Sequence, residues 1–174
     1  MKKLKVSTGV EFKILDVPLM AIEEIKKKVN RERPKAPVQW IENKEREEVN
    51  YDDPEYKAAM EEWDGKLTMA IYDGLIILGT EIASVPEGFP KLEENSWIER
   101  LSLLDIEVHE NGNGRYLDWV KFCAAPAVKD INSLMIACGR KAGVREEDVA
   151  EASELFRNRE ARGADRKTSG KTRN

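Results

Sequence analysis

Side chains that could do chemistry are sparse in this chain of 174 residues. Its single histidine, His109, leaves no partner for a His-based metal cluster and only one base for a serine or cysteine nucleophile. Cys123 and Cys138 are the only cysteines, and both lie among apolar residues. They read as small buried hydrophobes of a reducing compartment. The glycines at 112 and 114, in GNGR, lack the G-x-G-x-x-G spacing of a dinucleotide cradle and follow no strand pattern. Gly170, Lys171 and Thr172 are only a fragment of a phosphate loop. Glu45, Glu47 and Glu48, or Glu61, Glu62 and Asp64, could supply paired carboxylates for acid–base work. Both groups sit in hydrophilic runs, however, where solvent is the natural partner and no burial raises a pKa. No catalytic residue, metal ligand or cofactor site is expected, and the residues describe a globular interaction domain.

What remains is aromatic surface in acidic surroundings. Trp63 and Trp119 fall on helical apolar stripes that a core should claim, and Trp97 opens another such stripe. Trp40 differs, standing between a proline-rich approach and a charged run, where an amphipathic indole suits contact with a partner. The expected partner-binding residues are therefore Trp40 with Glu42, Glu45, Glu47 and Glu48.

The elements that must position them are organised around residues 53–79. Asp53 can accept from the free N–H groups of a first helical turn, and Pro54 loses no hydrogen bond at the first helical position. Tyr56, Met60, Trp63, Leu67, Ile71, Leu75 and Leu78 recur every three or four residues, and Gly79 can supply a left-handed stop. A helix of this length spans roughly 37 Å. Before it, alternating apolar residues on either side of Ser7, Thr8 and Gly9 predict a β-hairpin over 4–15. Pro18 opens an amphipathic helix with Leu19, Ile22, Ile25 and Val29 on one face, ended by Pro34 and Pro37. Residues 38–41 are β-favouring and are expected to add a third strand to the hairpin, whereas 42–50 can bury nothing and read as an exposed acidic loop near 42–52, or a segment that orders on binding.

After the central helix, two prolines and a glycine forbid regular structure over 84–90. Ser96 and Glu99 then form a capping-box pattern for a helix ending near Asp105. A flexible turn is expected at 111–114, then a helix lined by Tyr116, Trp119, Val120 and Cys123 and closed by Pro126. Asp130 can cap a further helix that stops at Gly143, and one more starts near Arg145. The fold class is therefore α+β, mainly helical: a small antiparallel sheet packed on about five or six helices, as a single domain over 1–159. Residues 160–174 form a basic disordered tail, for no apolar residue larger than alanine follows Arg159.

Charged residues make up 36% of the chain, and the net charge of −4 hides an asymmetry: from Arg157 onward there are seven basic and two acidic residues, so that segment carries +5 and the remainder −9. An acidic body argues against binding the nucleic-acid backbone, which requires phosphate neutralisation. No segment has signal-peptide or membrane-spanning character, which reads as a cytoplasmic protein.

Several phrases carry a family resemblance: Val10-Glu-Phe-Lys-Ile-Leu-Asp-Val-Pro18, Asn50-Tyr-Asp-Asp-Pro-Glu-Tyr56, Gly79-Thr80 followed by Ser84-Val-Pro-Glu-Gly88, and Arg115-Tyr-Leu-Asp-Trp119. Over roughly residues 10–157 the chain resembles the small tail assembly chaperones of long-tailed bacteriophages. The resemblance implies a non-enzymatic, largely helical protein of the host cytoplasm, absent from the mature virion. It also implies as partners the tape measure protein and the major tail tube protein, with no nucleic acid and no membrane. Family members often have a longer, frameshifted form. The matching phrases look structural and bring no binding residues with them. Arg145 departs from the hydroxyl cap that would suit its helix start. The competing class is a permanent virion component, such as a head–tail connector or tail completion protein, which should bury large apolar interfaces where a transient chaperone stays monomeric or weakly associated.

Overall fold

A computed structural model describes residues 2–143. The expected helix near Arg145 and the basic tail 160–174 lie outside the described residues. Within them the order is β1 (Lys3–Lys5), β2 (Glu11–Ile14), α1 (Leu19–Asn30), β3 (Val38–Ile41), β4 (Arg46–Val49), α2 (Pro54–Gly79), β5 (Thr80–Ser84), α3 (Ser96–Ser102), α4 (Gly112–Trp119) and α5 (Val128–Lys141). The fold is α+β and mainly helical, with a three-stranded antiparallel sheet and a separate two-stranded one. Two compact units divide the described residues: Leu19–Gly74 is one, and 2–18 with 75–143 make up the other. Helix α2 gives residues 54–74 to the first and 75–79 to the second.

In the unit that holds the N-terminus, the sheet order is β1–β2–β5. Gly9, at φ +90, makes the turn of the β1–β2 hairpin, and Leu4 faces Phe12 across it. The central strand alternates as its sequence demands: Val10, Phe12 and Ile14 are buried, while Lys13 reaches across to Glu81 on β5 at 2.7 Å. The third strand of this sheet is β5 and not 38–41, which corrects the expectation from sequence. Strand β5 follows α2 without an intervening turn, and Leu15 N–H donates to the Gly79 carbonyl at 2.9 Å as the helix gives way to the sheet.

Gly79 serves this junction by its size. It is not in the left-handed region; a Cβ there would lie 2.8 Å from Cys138 Sγ and 2.9 Å from Val17 Cγ2. Thr80 ends the helix by donating to the Ile76 carbonyl at 2.6 Å, and its hydroxyl lies 2.7 Å from that of Tyr116. Desolvation pushes the Tyr116 phenol up to about 12. The core here gathers Phe12, Ile14, Trp97, Trp119, Leu134 and Met135, all at most 2% exposed.

The later helices start differently from their predicted signals. Asn95, not Ser96, precedes α3, and no side chain caps it, so the capping box is not formed. Helix α3 ends at Ser102, before the expected Asp105, leaving Leu104 exposed. The expected turn at 111–114 is instead the first turn of α4, which runs on through a π-helical turn at Val120–Ala124. Asp130 lies inside the first turn of α5 and is no cap; buried there, it accepts from both the N–H and the hydroxyl of Ser7. It thus ties the hairpin turn to α5.

The other unit contains α1, the β3–β4 ribbon and residues 54–74 of α2. Asp53 Oδ1 accepts from Tyr56 N–H at 2.8 Å, the cap its sequence announces. The helix passes Gly65 without a break. Trp63 Nε1 donates to the Val29 carbonyl at 3.2 Å, Arg33 stacks 5.2 Å from the Trp63 ring centre, and α1 comes so close at Gly74 that a Cβ would lie 2.4 Å from Ile25 Cδ1. Two of the three lysines of α1 are paired within one turn, Lys26 with Glu23 and Lys27 with Glu24.

Candidate functional site

Residues 38–49 form a self-contained two-stranded ribbon in which the 42–50 run, expected as a loop, supplies the turn and the second strand. A turn of 3-10 helix covers Glu42–Lys44, and Glu45 follows at φ 47, a left-handed conformation that a non-glycine residue adopts at some cost. The open end is closed by both the backbone and the side chain of Asn50: its N–H donates to the Pro37 carbonyl at 2.8 Å, its Nδ2 lies 3.2 Å from Gln39 Oε1, and its Oδ1 accepts from Asp52 N–H at 3.0 Å.

The register pairs Val38 with Val49, Gln39 with Glu48, Trp40 with Glu47 and Ile41 with Arg46. Directly opposed residues in an antiparallel pair share a face, and alternate residues along a strand do too. One face therefore carries Val38, Trp40, Val49 and Glu47, and it is open: Val38 is 59% exposed, Trp40 58% and Val49 47%. Tyr51, just beyond β4, is also exposed and meets the edge of Tyr56.

The other face carries Gln39, Ile41, Arg46 and Glu48. Glu48 lies 2.6 Å from Arg46 and 3.0 Å from Lys44, and hydrogen bonds from Arg46, then Lys44, hold its carboxyl below the usual value. Both cations of the ribbon are thus satisfied there, while Glu47 has no ion pair among the described residues.

Of the five residues expected at a contact surface, then, Trp40 and Glu47 stand side by side. Glu48 belongs to the opposite face with its charge matched, and Glu42 and Glu45 sit at the turn. Sequence reasoning missed Val38 and Val49. The period-two pattern Val38-x-Trp40 signals the first, but Val49 joins the face only once Glu47 and Glu48 are known to lie in a strand.

A second arrangement resembles catalytic machinery. His109 in the other unit places its backbone N and its Nδ1 each 2.8 Å from Asp118 Oδ2, and its ring lies against Gly114, where a Cβ would come within 2.5 Å of Cγ. A carboxylate orienting an imidazole is half of a nucleophile-activating relay. Among the described residues no hydroxyl or thiol hydrogen-bonds to this imidazole, and Cys123 and Cys138 are both free thiols raised by burial, Cys138 to about 12. The contact ties the segment before α4 to that helix. Among the described residues, no group of three or more His, Cys, Asp or Glu side chains is placed to hold a metal ion, and no helix is long and apolar enough to cross a membrane.

Fold and site together define a mainly helical α+β protein that presents an apolar ribbon face beside a carboxylate with no ion pair among the described residues. No family model, curated protein or solved structure matches the chain.

Proposed function

We propose that this chain is a binding protein with no chemistry of its own, a tail assembly chaperone of a long-tailed bacteriophage that holds the tape measure protein in the host cytoplasm, helps recruit tail tube subunits and is left out of the mature virion. The observation that carries the binding reading is the exposed face of Val38, Trp40 and Val49. Burying the free half of three such side chains would release about 3 kcal/mol gross, by the usual worth of a buried apolar side chain. A millimolar complex needs about 4 kcal/mol net, so this face anchors weak, reversible capture to which further contacts with the partner add. A permanent virion ring would call for interfaces of about 2,000 Å² or more. The phage assignment itself is supported by the phrases around Val10, Asn50, Gly79 and Arg115.

Co-expression with the cognate tape measure protein is the test. The chain should keep that partner in the soluble fraction, and Trp40→Ala should lower the yield while leaving the circular dichroism spectrum unchanged. A purified chain that binds neither tape measure nor tube protein but is present in mature particles would overturn this reading in favour of a head–tail connector or completion protein.

A further inference from the structure

The charge around the ribbon face points to the kind of partner it takes. Residues 38–64 hold ten acidic and three basic side chains, a net −7. Each of those three cations is already ion-paired, Lys44 and Arg46 to Glu48 and Lys57 to Asp52. The turn that ends the apolar face is bordered by Glu42 and Glu45, and Glu47 stands on the face itself, opposite Trp40. We infer that the face of Val38, Trp40, Glu47 and Val49 takes a basic amphipathic protein segment, whose apolar side chains cover Trp40 and the two valines while a Lys or Arg at its border meets Glu47. The inference rests on the reading of the chain as a binding protein, and it adds the partner's chemistry.

Other occupants fit less well. A second copy laid face to face would bring two such acidic borders together, with Glu47 facing like charge. A nucleic acid would present phosphates to the same carboxylates. The chain's own basic end has the right charge, but beyond Arg159 it offers no apolar side chain larger than alanine to fill the face.

Two synthetic peptides of about 18 residues, five helical turns, test the inference: one with leucines at helical spacing and lysines elsewhere, the other with glutamates in place of the lysines. Titrated into the full chain, the lysine peptide should bind and the glutamate peptide should not. Trp40→Ala and Glu47→Lys should each weaken the lysine peptide about tenfold, as loss of an interface anchor or of a steering charge does. Glu47→Lys should in turn improve binding of the glutamate peptide. Circular dichroism and melting curves confirm that the variants are folded.

Lysine-peptide binding unchanged in both variants would overturn the inference, because attraction would then be general to the acidic body. Retention of the tape measure protein that depends on Trp40 but not on Glu47, with neither peptide bound, would overturn it while leaving the proposed function standing. Lysine-peptide binding that depends on both residues, with no effect on the tape measure protein, would support the inference and remove the phage assignment.

Discussion

Trp40 and Glu47 are direct cross-strand partners in the β3–β4 ribbon, so an indole 58% exposed shares its face with a carboxylate that has no ion pair among the described residues. Tryptophans serving the core look different: Trp119 is fully buried, donates from Nε1 to the Pro90 carbonyl at 3.0 Å and meets Phe89 edge-on. Trp40→Ala should therefore change stability by less than about 0.5 kcal/mol, the usual range for a surface site, whereas Trp119→Ala should cost about 3–5 kcal/mol through the cavity it leaves. Urea denaturation of both variants measures this. A Trp40→Ala loss comparable with that of Trp119→Ala would make Trp40 a core residue and move the contact surface elsewhere.

Gly79→Ala should cost about 1–3 kcal/mol, because its Cβ would overlap Cys138 and Val17 in a packed junction. Cys138→Ala in the same chain should recover part of the loss by removing the sulfur that lies 2.8 Å from the added methyl. Purely additive effects in this double-mutant cycle would show that the two sites do not share the strain.

Which features could be read from the chain follows from how local their causes are. The start of α2 was legible because Asp53, Pro54 and the apolar stripe lie within one stretch. Strand β5 was not, for Thr80–Ser84 has no turn before it and takes its register from β2, far away in sequence. Strand β4 was hidden for the opposite reason: its residues are charged because the ribbon buries little, and strand propensity mainly reports burial. Trp40 stood out by its surroundings, but the make-up of its face depends on pairing with β4, so Glu47 could not be separated from Glu48. Likewise Asp130 carries an N-cap's side chain, and only the fold reveals Ser7 as its partner.

Thiol reactivity should rank the cysteines. Burial raises both pKa values, Cys138 to about 12, and Cys138 is fully buried with its Sγ 3.5 Å from the Gly79 carbonyl. The thiolate is the reactive form, so at pH 8 a maleimide should modify Cys123 first, and Cys138 only as the fold opens. Raising the pH should speed both reactions. Mass spectrometry of partly labelled protein assigns the sites, and equal rates in native buffer would contradict the burial of Cys138.

Acid should loosen the β3–β4 ribbon before the rest of the chain. The Glu48 carboxyl is held below its ordinary 4.5, first by the Arg46 hydrogen bond and then by Lys44. A depressed folded-state pKa contributes stability that is fully present above the unfolded value and lost as the pH falls through the folded one. The carboxylate is exposed, so the effect is small and confined to the ribbon. Protection of its amides from hydrogen exchange should fall between about pH 5 and 3 in the native chain, and Glu48→Gln should flatten that dependence. A native profile flat over that range would mean that the ion pairs contribute nothing.

Arg115 organises the segment before α3 by a geometry lysine cannot copy. Its Nε donates to the Leu92 carbonyl at 2.9 Å and Nη1 to the Glu110 carbonyl at 3.1 Å; Nη2 reaches the Glu94 carbonyl at 3.0 Å and Asn95 Oδ1 at 3.1 Å. The guanidinium carbon also sits 5.6 Å from the centre of the buried Trp97 ring. A lysine keeps the charge but offers a single nitrogen, and so cannot satisfy acceptors spread around a planar fork. Arg115→Lys should therefore cost about 0.5–1.5 kcal/mol, the net worth of an ordinary hydrogen bond, because water can reach most of the acceptors it leaves. Exchange protection should drop first at 91–96, where the lost partners cluster, while the ribbon at 38–49 keeps its protection. If Arg115→Lys melts like the native chain, the positive charge over Trp97 suffices and the fork is dispensable.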